Sequence, residues 1–157
     1  DKAILPILQR MGAKLEEGPE SLTIHPSSLH GIRIDASDCP DLVPILSVAA
    51  ALAKGTTEII HAERLRLKEC DRLKAMASEL TKMGAHIEER PDGLIIRGVP
   101  MLHGAGADSW NDHRVAMSLA IAATRSDGPV ILTGSESVQK SYPQFWQDYE
   151  SLGGKIK

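Results

Sequence analysis

The chain has 157 residues, of which 42% are hydrophobic and 25% charged, as expected for one globular domain with a core of its own. The formal net charge of -3 argues against a general binder of nucleic acids or membrane surfaces, so any basic site must be local. Aromatic residues make up only 3% of the chain and cluster near its C-terminus, which excludes a dispersed stacking platform for single-stranded nucleic acid.

Cys39 and Cys70 are the only cysteines, and two thiols in a chain of this length indicate reduced cysteines rather than a disulfide framework. No apolar run approaches the ~20 residues that a membrane-spanning helix needs. The first residues, Asp1-Lys2-Ala3, do not resemble a signal peptide. We therefore expect a cytoplasmic location and no membrane partner.

The first half of the chain contains two helical patterns. The first begins at Asp1 and contains Pro6, which predicts a weak or kinked helix. Because this pattern is already under way at the first residue, we expect the chain to be a fragment of a longer one. Asp41 opens the second pattern, an apolar helix that runs through Ala53.

The second half contains clearer signals. Apolar residues recur at helical spacing from Leu73 to Met83, and Gly84 is a good C-cap. Short strands at 86–90 and 94–97 are predicted around a turn at Arg90-Pro91-Asp92-Gly93. A helix rich in Ala and Ser is predicted at 112–124, followed by a β-branched strand at 130–133.

The chain also repeats itself with an offset of about 72 residues, as when Met11 is aligned with Met83. In this frame residues 1–17 match 73–89, Asp41 matches Asp112 and Lys68 matches Lys140. Repeats of this length predict stacked copies of one supersecondary unit. We expect an α/β fold of repeated βαβαββ units, at approximately 1–70 and 71–142, with a partial third copy at 143–157.

Three clusters of charge lie at or just before helix patterns: Leu67-Lys68-Glu69-Cys70-Asp71-Arg72, Asn111-Asp112-His113-Arg114 and Lys140-Ser141-Tyr142-Pro143. A helix N-terminus attracts anions, and added Arg and Lys strengthen that attraction. Neighbouring carboxylates supply groups for proton transfer. Glu69 and Arg72, three residues apart, face the same way on one helical turn. Together the clusters predict one anion-handling site.

Each cluster also has a purely structural interpretation. Asp41 and Asp112 could be helix N-caps, worth about 0.5–2 kcal/mol each, and His113 alone could be a structural histidine. The segment 68–72 could be a solvated helix start with a local ion pair. The functional interpretation is favoured because the charged positions follow the repeat, which ordinary surface charge has no reason to do. No spacing of histidines with carboxylates or cysteines indicates a metal site.

The order and spacing of four motifs resemble the 5-enolpyruvylshikimate-3-phosphate synthase family: Cys39-Pro40-Asp41, Arg66-Leu67-Lys68-Glu69-Cys70-Asp71-Arg72, Asn111-Asp112-His113-Arg114-Val115-Ala116-Met117 and Lys140-Ser141-Tyr142-Pro143. The resemblance runs over essentially the whole chain, which would be the C-terminal part of a family member. It implies two similar lobes, each of three βαβαββ units, with helix N-termini facing the cleft between them. Residues 1–157 would then be a partial C-terminal lobe that lacks the N-terminal lobe.

The family transfers the enolpyruvyl group of phosphoenolpyruvate to the 5-hydroxyl of shikimate 3-phosphate and releases phosphate. The resemblance therefore implies a transferase of chorismate and aromatic amino acid biosynthesis, a target of glyphosate, that needs no metal or other cofactor. Its partners would be the two substrates and the missing lobe of the same protein, and we expect the complete enzyme to be a monomer. The isolated chain would hold half a site and show little or no turnover.

The resemblance also assigns roles to single residues. Asp41 and Glu69 would be the catalytic carboxylates, with Asp41 also contacting shikimate 3-phosphate together with Lys68. The phosphoenolpyruvate-binding cations would be Arg72, Arg114 and Lys140, and His113 would support the reacting centre. Cys70 is a departure, because the family more usually has Thr or Ser there.

Two other functions remain open on the sequence alone. One is the related enolpyruvyl transferase that acts on UDP-N-acetylglucosamine, which shares the fold and phosphoenolpyruvate. The other is a non-catalytic repeat scaffold whose charged clusters only bind anions.

Overall fold

The structure is a computed structural model that describes residues 2–157, with helices and strands alternating along the chain. The α-helices are α1 (Ile4–Arg10), α2 (Val43–Ala51), α3 (Arg72–Lys82), α4 (His113–Ala123) and α5 (Phe145–Ser151). The strands are β1 (Lys14–Glu17), β2 (Leu22–His25), β3 (Arg33–Asp35), β4 (Thr56–Ile60), β5 (His86–Arg90), β6 (Gly93–Arg97), β7 (Gly106–Asp108) and β8 (Ile131–Thr133). Short 3₁₀ helices lie at Pro40–Leu42, Glu63–Leu67 and Ser135–Lys140.

The described strands form three sheets. The central sheet has four strands in the order β3-β4-β6-β5, with β3 and β4 parallel and the other pairs antiparallel. In its register Ile59 lies opposite Ile34 on one side and Leu94 on the other. The other two sheets are the antiparallel pair β1-β2 and the parallel pair β7-β8.

The core lies between the central sheet and the helices. Alternation along the strands puts Ile34, Ile59 and Leu94 on one face, where each is at most 1% exposed. On α3 the apolar residues predicted from the helical period, from Leu73 to Leu80, are buried in the same cluster. Burial of one such side chain stabilises the fold by about 1.5–3 kcal/mol. Packing against the sheet therefore fixes the position of α3 and of its first residue.

Helix α2 is apolar on every side, which is typical of a helix that is surrounded by protein. Its Leu46, Ala50 and Ala51 are at most 1% exposed. It packs against both α3 and α4, and its small residues allow a close approach. This packing brings the starts of α2, α3 and α4 near one another. In the described part of the chain, none of the helices combines the length and apolar character that a membrane crossing requires.

Most predicted elements are confirmed with shifts of one or two residues at their ends. The predicted helix 73–83 is α3, and Gly84 follows it with a φ of 88°. The two predicted strands are β5 and β6, and the predicted small-residue helix is α4. The first helix is short, and Pro6 lies in its first turn, where the missing N–H of proline costs no hydrogen bond. Asp1 lies outside the described residues.

One local prediction is wrong. Asp41 does not open α2, because it lies in the 3₁₀ helix Pro40–Leu42 and α2 runs only from Val43 to Ala51. Its side chain caps neither helix. Before Arg72, the 3₁₀ helix Glu63–Leu67 separates β4 from α3.

Candidate active site

The candidate site is built around Arg72, the first residue of α3, whose side chain is only 1% exposed. Each of its three nitrogens donates a hydrogen bond to a different carboxylate. Nε lies 2.7 Å from Asp112 Oδ2, Nη1 lies 2.8 Å from Asp41 Oδ1, and Nη2 lies 2.6 Å from Glu69 Oε2. One guanidinium therefore joins the segments that precede α2, α3 and α4.

Helix capping fixes two of these segments. Asp71 caps α3, since its Oδ1 accepts from the backbone N–H of Lys74 at 3.0 Å. Asp112 caps α4, since its Oδ1 accepts from the N–H groups of Arg114 and Val115 at 2.8 and 3.3 Å. Asp112 is fully buried, so one of its oxygens serves the cap and the other serves Arg72.

Two further cations lie beside Asp41 and are more accessible than Arg72. Lys68 Nζ is 3.1 Å from Asp41 Oδ1, and Arg114 Nη2 is 3.6 Å from Asp41 Oδ2. Arg114 also donates from Nη1 to the backbone carbonyl of Asp41 at 3.3 Å. The Lys68 and Arg114 side chains are 33% and 30% exposed, so both can meet an anion that arrives from solvent.

These contacts determine the charge states. Burial alone would raise the pKa of Asp41, but the hydrogen bond from Lys68 and the charges of Arg114 and Arg72 outweigh it, so the pKa is lowered. Burial alone would lower the pKa of Arg72, but its hydrogen bond to Asp112 and the neighbouring carboxylates raise it instead. At neutral pH, Asp41 is therefore ionised and Arg72 is charged.

Glu69 lies between Arg72 and His113. Its Oε1 is 3.8 Å from His113 Nδ1, which is beyond hydrogen-bonding distance. His113 is 9% exposed, and its buried Nδ1 has no hydrogen-bond partner in the described residues. Because an unsatisfied buried polar atom costs free energy, a nitrogen in this position is suited to bonding a ligand or water beside Glu69.

Lys140 does not contact the carboxylates of the cluster. It is the last residue of the 3₁₀ helix Ser135–Lys140, and its Nζ donates to the backbone carbonyl of Asn111 and, at 2.9 Å, to Asn111 Oδ1. Asn111 directly precedes Asp112, so Lys140 is linked to the cluster through one neighbouring residue. Its side chain is exposed.

Cys70 lies at the edge of the cluster, with its Sγ 3.7 Å from Asp112 Oδ2. Burial, together with the charge of Asp112, raises the pKa of the Cys70 thiol to about 12. The thiol therefore stays protonated at neutral pH and is not a nucleophile. Asp71, and not Cys70, is the N-cap of α3, so the thiol at position 70 does not weaken that cap.

Two residues of the site were not predicted in their roles. Asp112 was expected in a charged cluster or as a cap, but its bond to the buried Arg72 was missed, although its match to Asp41 in the repeat was a usable signal. Arg66 was quoted only as part of a motif. Its guanidinium binds Asp71 Oδ2 at 2.7 Å, Glu89 Oε1 at 2.8 Å and the carbonyl oxygens of Arg90 and Pro91 at 2.6 and 2.8 Å. Arg66 thereby ties the β5–β6 hairpin to the start of α3.

The cluster combines three cations with three carboxylates, which suits the binding of an anionic substrate next to groups that transfer protons. The cations are Lys68, Arg72 and Arg114, and the carboxylates are Asp41, Glu69 and Asp112. Among residues 2–157, no group of three or more His, Cys, Asp or Glu side chains is arranged to hold a metal ion.

Comparison with known proteins identifies the family of the chain. The profile of the family described as EPSP synthase (3-phosphoshikimate 1-carboxyvinyltransferase) matches residues 1–149. The chain belongs to the EPSP synthase family. The 3-phosphoshikimate 1-carboxyvinyltransferases of Clostridium novyi and Clostridium acetobutylicum are each 58% identical to it over 156 residues.

Solved structures give the same family and the same mixed α/β fold. An EPSP synthase from Acinetobacter baumannii superposes with a TM-score of 0.87 at 33% identity, over 98% of this chain and 39% of that one. The two clostridial relatives are matched over 99% of this chain but only 36% of their own length. The chain therefore spans a little over a third of the EPSP synthases that it resembles.

Proposed function

We propose that the protein is a 3-phosphoshikimate 1-carboxyvinyltransferase, which transfers the enolpyruvyl group of phosphoenolpyruvate to the 5-hydroxyl of shikimate 3-phosphate and releases phosphate. Membership of the EPSP synthase family supports the reaction class. The observation that carries the proposal is that Asp41 meets Glu69 and Arg72 at one guanidinium, although Asp41 lies 31 residues before Arg72 in the sequence. These are the residue types required for addition of a hydroxyl to an anionic enol phosphate and elimination of phosphate to give an enol ether.

The two carboxylates have distinct environments that suit two proton transfers. Asp41 is kept ionised by Lys68, Arg114 and Arg72, so it can accept a hydrogen bond from the attacking hydroxyl and then its proton. Glu69 lies near His113 and would exchange a proton with the methylene carbon. Both carboxylates bond to the same guanidinium, so one substrate can reach both.

The cations would bind the phosphate and carboxylate groups of the substrates. Arg114 and Lys140, with Arg72 behind them, would hold phosphoenolpyruvate and stabilise the leaving phosphate, while Lys68 and Asp41 would contact shikimate 3-phosphate. Arg72 is buried and already bonded to three carboxylates. A substrate anion would therefore reach Arg72 only by exchanging with the contacts of Asp41 or Glu69, whereas Arg114 and Lys68 are open to it directly.

We propose repeated βαβαββ units at approximately 1–70 and 71–142, a partial third copy at 143–157, and an N-terminal lobe elsewhere in the protein. The element order supports the repeat, because helix, three strands, helix and strand occur twice in succession. The isolated bridges His30–Lys54 and Leu102–Ser126 support it too, because their residues differ by the same offset of 72. On this proposal the 157-residue chain alone shows little or no turnover.

The test compares the acceptor and the catalytic carboxylate. Phosphate release from phosphoenolpyruvate is measured with shikimate 3-phosphate or with UDP-N-acetylglucosamine, using the protein at its full natural length and its Glu69→Gln variant. We expect release with shikimate 3-phosphate only, and heat protection by that ligand in Glu69→Gln with release lowered by a factor of about 10²–10⁴. Release with UDP-N-acetylglucosamine alone would indicate the related transferase, whereas ligand protection without any release by the unmutated protein would indicate an anion-binding scaffold.

A further inference from the structure

A second buried carboxylate, Glu79, lies on α3 two turns after Arg72 and is only 1% exposed. A buried carboxylate is costly unless it is paired and hydrogen-bonded. Glu79 satisfies both oxygens. Lys82 Nζ lies 2.9 and 2.7 Å from them, the backbone N–H of Asp108 lies 2.9 Å from Oε2, and the indole Nε1 of Trp110 lies 2.9 Å from Oε1.

Two of these donors belong to the segment that leads from β7 to α4. In this segment Trp110 and Asn111 both have a φ of 54°. A bulky side chain such as that of tryptophan rarely adopts this left-handed conformation, which persists only where the surroundings fix it. Local hydrogen bonds contribute, because Asp108 Oδ1 accepts from the N–H of Trp110 and Ser109 Oγ from that of Asn111. Glu79 supplies a hydrogen bond that ties the strained tryptophan to α3.

The strained segment ends in the two residues that hold cations of the candidate site. Asn111 accepts from Lys140 through its backbone carbonyl and its side chain. Asp112 accepts from Arg72 Nε at 2.7 Å. Helix α3 thus carries Arg72 in its first turn. Two turns later it carries Glu79, whose carboxylate bonds the segment that leads to Asp112, the partner of Arg72.

We propose that Glu79 is a positioning residue, which sets the orientation of Arg72 and Lys140 by holding Trp110 in its left-handed conformation. It acts through Trp110 and Asp108, and not by contact with a substrate. The proposed effect on the orientation of Arg72 rests on the contacts of Glu79 and Asp112. The effect on turnover also rests on the proposed function.

The test uses two substitutions that break the same contact. Glu79→Gln keeps the size of the side chain but leaves one oxygen for the donors of Trp110 and Asp108. Trp110→Phe removes the indole donor, together with part of the ring, and keeps an aromatic side chain. We expect each to lower kcat/KM for phosphoenolpyruvate by a factor of about 10–100, since misplacement by about 1 Å can cost 10²-fold. The double variant should be no worse than the more impaired single variant. The control is Glu88→Gln, because Glu88 is an exposed carboxylate paired with Arg90.

The second readout needs no turnover. In ¹⁵N-labelled protein at its full natural length, we expect the Nε–H resonance of Arg72 to shift and to exchange faster with solvent in Glu79→Gln and Trp110→Phe, but not in Glu88→Gln. An unchanged Arg72 resonance in Glu79→Gln would overturn the proposal. If Glu79→Gln does not fold, an unchanged Arg72 resonance in Trp110→Phe would overturn it. An equal shift in Glu88→Gln would also overturn it. A protein that releases no phosphate contradicts the proposed function, but the Arg72 resonance still decides the role of Glu79.

Discussion

Asp112→Asn isolates the buried ion pair on which the site is built. Asp112 is fully buried and serves two partners, the cap of α4 through Oδ1 and Arg72 through Oδ2. Asparagine caps a helix as well as aspartate does, so its single oxygen can keep the cap. Its amide group would then face the guanidinium of Arg72, which also donates. The substitution therefore removes the charge partner while it leaves the helix start intact.

The magnitude follows from burial. Removal of one member of a buried ion pair costs about 3–5 kcal/mol because a charge is left without compensation. Arg72 keeps Asp41 and Glu69 as partners, so we expect the lower end of this range, about 3 kcal/mol. Asp112→Ala also removes the cap, which adds about 1 kcal/mol. Glu58→Gln is the matched control, because the pair of Glu58 with Arg33 is exposed and worth less than about 1 kcal/mol.

The assay is urea unfolding followed by circular dichroism, with the free energy of unfolding taken from midpoints at a common slope. The expected order of stability is unmutated protein, Glu58→Gln, Asp112→Asn and Asp112→Ala. A loss in Asp112→Asn no larger than that in Glu58→Gln would refute the claim that Arg72 depends on a buried charge partner.

Three further predictions concern the surroundings of the site. Arg66→Lys keeps the charge but loses the forked contacts to the β5–β6 hairpin. We therefore expect the free energy of unfolding in urea to fall by about 1–3 kcal/mol. A fall as small as that caused by Arg33→Lys at an exposed position would contradict this expectation. Hydrogen bonds from the side chain and backbone of Ser37 lower the pKa of Asp35 to about 2 in the folded protein, below its unfolded value of about 3.9. The ionised form therefore stabilises the fold fully above about pH 4, and this contribution is lost as the pH falls toward 2. Urea midpoints should accordingly fall less in Asp35→Asn than in the unmutated protein over that range, and parallel declines would argue against the shift. Lys140→Met should raise the KM for phosphoenolpyruvate while the thermal midpoint changes little, and steady-state kinetics with an unchanged KM would remove Lys140 from the proposed site.

The regular elements were predictable because their signals are local. The apolar period of α3 and the turn residues before Gly93 lie within one element each, and both predictions are confirmed. The start of α2 was not predictable in the same way. Pro40 and Pro44 stand on either side of Asp41, and the chain there forms a 3₁₀ helix before α2 begins. The charged side chain of Asp41 therefore bonds cations from other elements and does not cap a helix.

The grouping of the site residues was predictable only in part. Lys68, Glu69 and Arg72 are neighbours in the sequence, and Glu69 and Arg72 do pair, although Glu69 lies before α3 and not on one helical turn with Arg72. The almost complete burial of Arg72 and its contact with the buried Asp112 depend on how α2, α3 and α4 pack. Contacts between residues so far apart in the sequence leave no periodic signal, and only the repeat hinted that Asp41 and Asp112 hold related positions.

The proposed reaction is tested most directly by the release of inorganic phosphate from phosphoenolpyruvate by the protein at its full natural length, measured with and without shikimate 3-phosphate. We predict release only when both compounds are present, with one phosphate released for each acceptor converted to its enolpyruvyl ether. Folded protein that binds both compounds and releases no phosphate would contradict it.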